Sequence, residues 1–185
     1  MGQKAQVAIE YLRENLPYED QVNMSLSFPA DETDGNTAFG MHKDHTDPEQ
    51  SFQKFGELAD LCAKQVKAKP DAIPEVYECF VGWRFVSQQY RSFKAALPIM
   101  DQAEEQHSTN ADLLLEIGRA YVNEAINERK QAEYNRALTL TEKGKDLMTK
   151  ATELGTSADA DTVASLLALA DRNLQHTRYL KAGPK

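Results

Sequence analysis

The chain has 185 residues, a formal charge of −8 and a pI near 5.0. That length suits one domain with a sizeable core, and the acidic balance argues against nucleic acid, because a phosphate backbone attracts a dominant basic face. Cys62 and Cys79 show no C-x-x-C or zinc spacing and read as reduced, buried thiols of a reducing compartment. The expectation is a cytoplasmic protein: the first fifteen residues carry too many charges for a signal peptide, and no apolar run approaches the ~18 residues of a membrane span. Gln6 stands where a myristoylation signal prefers Ser or Thr.

Residues 1–17 form a predicted N-terminal helix with Ala5, Ala8, Ile9, Leu12 and Leu16 as its apolar stripe and Pro17 as its stop. Residues 18–50 change character. Pro29, Gly35, Gly40 and Pro48 punctuate a polar stretch that reads as a long, partly disordered loop or a short hairpin, in which the alternation from Val22 to Phe28 has the period of a strand. His42, Asp44, His45 and Asp47 in this stretch carry the imidazole and carboxylate chemistry of a divalent metal site. They lack the helical H-x-x-x-H register, and Lys43 would repel a cation. No cofactor and no metal is therefore expected.

The helical register returns at Asp47-Pro48-Glu49, and Phe52, Phe55, Leu58, Ala59, Cys62 and Val66 line one face up to Pro70. A second helix starts near Pro74 and is apolar on more than one face, with Val76, Tyr77, Phe80, Trp83 and Phe85; it should be buried on two sides. Pro98 interrupts the next helix, and the spacing of Ala96, Met100 and Ala103 through it predicts a kink. Asn110 reads as an N-cap with Asp112 and Glu116 in the turns that follow.

The segment after Asn110 carries a recognisable pattern. Leu114-x-x-Ile117-Gly118-x-x-Tyr121 resembles the first-helix signature of the tetratricopeptide repeat (TPR), W-x-x-L-G-x-x-Y, with Leu for Trp. Ala96, Met100 and Ala103 sit at that family's second-helix spacing, with Ser108-Thr109-Asn110 as the turn between repeats. A standard repeat is about 34 residues, yet the next second-helix match, Gly144-x-x-x-Met148-x-x-Ala151, falls roughly fourteen residues late. The intervening residues lack Pro and Gly and are strong helix formers, so two long antiparallel helices are predicted near 111–128 and 132–154, with a protruding tip. Gly155-Thr156-Ser157 ends the hairpin, and Asp159 or Asp161 starts a C-terminal capping helix whose outer face holds Arg172, Gln175 and Arg178.

The resemblance implies an all-α fold: a TPR-like stack of antiparallel helical hairpins, a short α-solenoid over residues 51–185, with one extended hairpin and residues 1–17 packed on it. It further implies a non-enzymatic scaffold or adaptor that holds a protein or peptide partner in its concave face. Carried over from the family, that face would comprise Val81, Phe85 and Gln88 in one repeat and Leu115, Arg119, Val122 and Asn123 in the next. Members that grip the C-terminal carboxylate of chaperones use Lys and Asn at the first and second of these positions. Val81, Phe85, Leu115 and Arg119 stand there instead, which argues against that ligand. Self-assembly through the long hairpin is the alternative, and a helical-bundle metal protein using 41–47 the second. The pairs Glu10/Glu14, Glu104/Glu105 and Glu124/Glu128 read as solvated helix faces.

Overall fold

The computed structural model describes residues 2–27, 48–87 and 92–183. Among these residues every regular element is a helix: α1 (Gly2–Asn15), α2 (Tyr18–Ser27), α3 (Pro48–Ala68), α4 (Pro74–Val86), α5 (Leu97–Gln106), α6 (Ala111–Lys130), α7 (Tyr134–Leu154) and α8 (Ala160–Ala182). Among the described residues no helix is long and apolar enough to cross a membrane. The helices divide into two compact units, Met1–Arg91 and Ser92–Lys185. The boundary between the units falls within residues 51–185, and α1 belongs with α3 and α4 in the first unit.

In the first unit the predicted stripes are the core. Ala5, Ala8, Ile9, Leu12 and Leu16 of α1 and Phe55, Leu58, Ala59, Cys62 and Val66 of α3 are all buried. Helix α4 is buried around most of its circumference, through Val76, Tyr77, Phe80, Val81 and Trp83. This is the position its aromatic content demands, since burying such side chains is the main gain a small unit has. The Tyr77 hydroxyl keeps a partner by donating to the Pro70 carbonyl at 2.7 Å.

Residues 18–27 correct the sequence reading, which placed a loop or strand there. Pro17 ends α1 and also starts α2: its carbonyl accepts from the Asp20 and Gln21 amides at 2.9 and 3.0 Å. Glu19 and Asp20 then occupy the first turn, where the helix dipole favours negative charge. Asp20 also pairs with Lys64 of α3, a tertiary contact invisible to local periodicity.

The second unit is built on α6, which packs against α5, α7 and α8. Pro98 kinks nothing. Helix α5 begins at Leu97, so the proline lies in the first turn, where its missing N–H is not needed. The Asn110 side chain caps α6 by accepting from the Leu113 amide at 2.9 Å. Gly155, at φ 84°, closes α7 with Gly155 N to Thr152 O and Thr156 N to Ala151 O, both 3.1 Å, the paired bonds of a Schellman motif. Helices α6 and α7 reproduce the predicted long hairpin within two residues at every boundary. The tip does not project from a shorter stack, however. Helix α8 runs beside α7, with Lys145–Asp171 at 2.6 Å and Glu142–Arg178 at 3.3 Å, and continues to Ala182.

Candidate functional site

Helices α6 and α8 lie on α7 and run in the same direction. At the start of α6, Asp112 accepts from Thr156 Oγ1 at 2.7 Å across a separation of 44 residues. Near its end Arg129 donates to Asn173 Oδ1 at 2.5 Å, again across 44. The first bond joins α6 to the turn that follows α7; the second ties the last turn of α6 to the middle of α8. The latch at Asp112 is reinforced by the Ser157 amide and hydroxyl, both at 2.7 Å. The Arg129 end is reinforced by a buried chain in which Asn173 Nδ2 donates to Thr141 Oγ1 at 2.7 Å, tying α7 to the same pair. Buried polar groups satisfied in this way specify one register, because a slip would orphan them.

This arrangement leaves α6 one solvent edge. Glu116, Arg119, Asn123 and Ile126 are partly exposed at helical spacing, while Leu113, Leu114, Leu115, Ile117, Ala120, Tyr121, Val122 and Ala125 are core. Helix α8 turns Val163, Ala170, Leu174 and Thr177 inward. Its residues 162–170 carry no charge at all, and Leu169 and Leu180 are each 36% exposed, Tyr179 65%. Arg172, Gln175 and Arg178 are exposed as expected, but the outer face also holds this apolar stretch.

The expected groove residues divide between burial and edge. Val81 is buried and Phe85 partly exposed in the first unit; in the second, Leu115 and Val122 are buried, and Arg119 and Asn123 are partly exposed. Val122 faces the hairpin interior: a Cβ on Gly144 would lie 2.9 Å from its Cγ2. Its burial, like that of Leu115, follows from α5, α7 and α8 enclosing most of α6. Arg119 Nη2 lies 3.4 Å from Glu116 Oε2, so its charge is partly answered within the helix. Gln88 and the candidate ligands His42, Asp44, His45 and Asp47 lie outside the described residues.

Glu124 and Glu128 overturn their reading as a solvated face, being 1% and 2% exposed. Glu124 accepts from the Phe93 amide at 2.6 Å and from Ser92 Oγ at 2.9 and 3.0 Å, fixing the entry to the second unit. Glu128 meets Arg136 Nε at 3.0 Å and Lys94 Nζ at 3.8 Å. Their partners are distant in sequence, which is why a local reading leaves them in water.

A second charged group joins α5, α6 and α7. Tyr121 donates to Asp101, while Lys143 Nζ sits 2.6 Å from Asp101 Oδ1, 3.0 Å from Glu104 Oε2 and 4.8 Å from the centre of the Tyr121 ring. Burial and the Asp101 hydrogen bond raise the Tyr121 pKa. Burial works against charge on Lys143, but hydrogen bonds to Asp101 and Glu104 outweigh it and raise its pKa. Burial likewise opposes charge on Asp101, yet the bonds from Lys143 and Tyr121 hold its carboxyl below the usual range. All three shifts lead away from neutrality, so the group acts as a clamp and not as an acid–base pair poised for proton transfer. In the first unit burial, and then the neighbouring Cys79, pushes the Cys62 thiol well up; burial and Glu78 push Cys79 up to about 12, which suppresses the nucleophilic thiolate. Among the described residues no three His, Cys, Asp or Glu side chains are placed to hold a metal ion.

No family model, curated protein or solved structure matches the chain.

Proposed function

We propose that the protein is a non-enzymatic interaction module, a TPR-like scaffold or adaptor that presents the adjoining edges of α6 and α8 to a peptide or helix of another protein. The Arg129–Asn173 bond, which brings α6 and α8 side by side on α7 with the same direction, carries this reading. Successive first helices of stacked hairpins stand in that relation, parallel across the second helix between them. Arg119 and Asn123 from the expected concave set supply one edge, and Leu169 of α8 supplies the other, which the family signature in α6 alone did not indicate.

Affinity capture with the full chain, quantified by mass spectrometry for wild type, Arg119→Glu and Leu169→Asp, tests the reading. Partners held by the wild type and lost by both variants are expected. An identical partner set for all three chains would sink the proposal. Light scattering on the same preparations identifies a second copy of the chain as the competitor for this surface.

A further inference from the structure

We infer that the segment recognised by the α6–α8 edge is acidic, with apolar residues at helical spacing. This rests on the reading of that edge as an interaction surface.

The argument begins with charge. The chain carries −8 overall, and the basic side chains of the second unit are largely answered internally: Arg119 by Glu116, Arg136 by Glu128, Lys143 by Asp101 and Glu104, Lys145 by Asp171, Arg178 by Glu142. Lys130, Lys150, Arg172 and Lys181 have no ion-pair partner among the described residues, and of these Lys130 and Arg172 adjoin the bonded pair Arg129 and Asn173. Both are exposed. Lys130, the last residue of α6, follows Arg129, and Arg172 precedes Asn173, so the Arg129–Asn173 bond brings the two cations to one place on the helix pair, with the exposed His176 one turn after Arg172. A cation left unanswered in an acidic protein is available to an incoming carboxylate without first breaking a pair, and such charges steer encounter and set partner choice.

The apolar part adjoins it. Leu169 lies one helical turn before Arg172 and Asn173, within the uncharged stretch 162–170, and Leu166 is partly exposed beside it. A ligand that covers Leu166 and Leu169 therefore brings its next turn to Lys130 and Arg172. An amphipathic helix with an apolar stripe leading into Asp or Glu meets both demands, whereas a basic ligand would place like charges together.

Selection of a displayed random-peptide library against the full-length protein, followed by fluorescence anisotropy on the enriched peptides, tests this. Enriched sequences should combine Asp or Glu with Leu or Phe at spacings of three and four. The double variant Lys130→Glu/Arg172→Glu should weaken them by about tenfold or more, with affinity also falling as ionic strength rises. Circular dichroism on each variant checks that the helices are retained. Binders without acidic enrichment that are still lost on Leu169→Asp would overturn the acidic class and leave the surface standing. Binders indifferent to Leu169→Asp, or an empty selection, would overturn both.

Discussion

Gly118 and Gly144 meet backbone to backbone where α6 crosses α7. A Cβ on Gly118 would lie 2.7 Å from the Gly144 carbonyl oxygen and 2.6 Å from Met148 Cγ, and a Cβ on Gly144 would lie 2.6 Å from the Gly118 carbonyl oxygen. Neither backbone can give way without moving a whole helix. Gly144→Ala should therefore destabilise the second unit by about 2–3 kcal/mol, the upper range for overpacking a well-packed contact. Urea denaturation followed by circular dichroism measures it, and an unchanged midpoint would show that the helices separate easily.

Ala132 supplies the opposite kind of substitution. It occupies the left-handed region at φ 62°, in the hairpin turn where Ala132 N bonds Arg129 O and Glu133 N bonds Glu128 O, both 3.0 Å. Those bonds define a C-terminal cap that glycine fills without Cβ strain. Ala132→Gly should raise stability by about 0.5–1 kcal/mol after its larger unfolded-state entropy is subtracted. A lower melting temperature would contradict the strain assigned to the turn.

Asp112 joins α6 to the turn before α8 through Thr156 Oγ1, Ser157 N and Ser157 Oγ. Asp112→Ala leaves those donors to water and should cost about 1–2 kcal/mol. The loss should be local. Hydrogen exchange is expected to accelerate across the turn and the first residues of α8 while the centre of α7 stays protected.

The Tyr121, Asp101 and Lys143 group makes stability depend on alkali. Tyr121 and Lys143 have pKa values raised on folding, so their contribution is complete below the ordinary values of about 10 and is lost as pH rises through the folded ones. Asp101, lowered on folding, contributes above the ordinary carboxylate value and is lost as pH falls through its folded one. Tyr121→Phe removes one hydrogen bond, about 1 kcal/mol at neutral pH, and should flatten the fall in stability above pH ~10. Melting curves across that range check the slope.

Much of this architecture was legible locally. The stripes of α1 and α3, the burial of α4 on more than one face, the Asn110 and Asp159 caps, and the length of the α6–α7 hairpin all follow from spacing, propensity and capping chemistry, which act within a few residues. Gly118 and Gly144 were picked out as positions of the family pattern, but their direct contact was not. Helix α2 was not legible: its alternating residues imitate a strand, and its support comes from Pro17 and from Lys64, distant in sequence.

The candidate site divides in the same way. Arg119 and Asn123 were picked out by their place in a resemblance, but Leu115 and Val122 from the same set proved to be core, because a helix enclosed by three neighbours keeps only a narrow edge. Nothing local could bring α8, and Leu169 with it, beside α6.

By itself the sequence determined which segments other than α2 are helical, where most of them end and which faces are apolar, since those depend on backbone geometry and on side chains a turn apart. Only the tertiary structure decided that Glu124 and Glu128 are buried, that the chain divides at Arg91, and that α6 and α8 meet. Each of these depends on partners brought together across tens of residues by packing, and a local pattern carries no record of them.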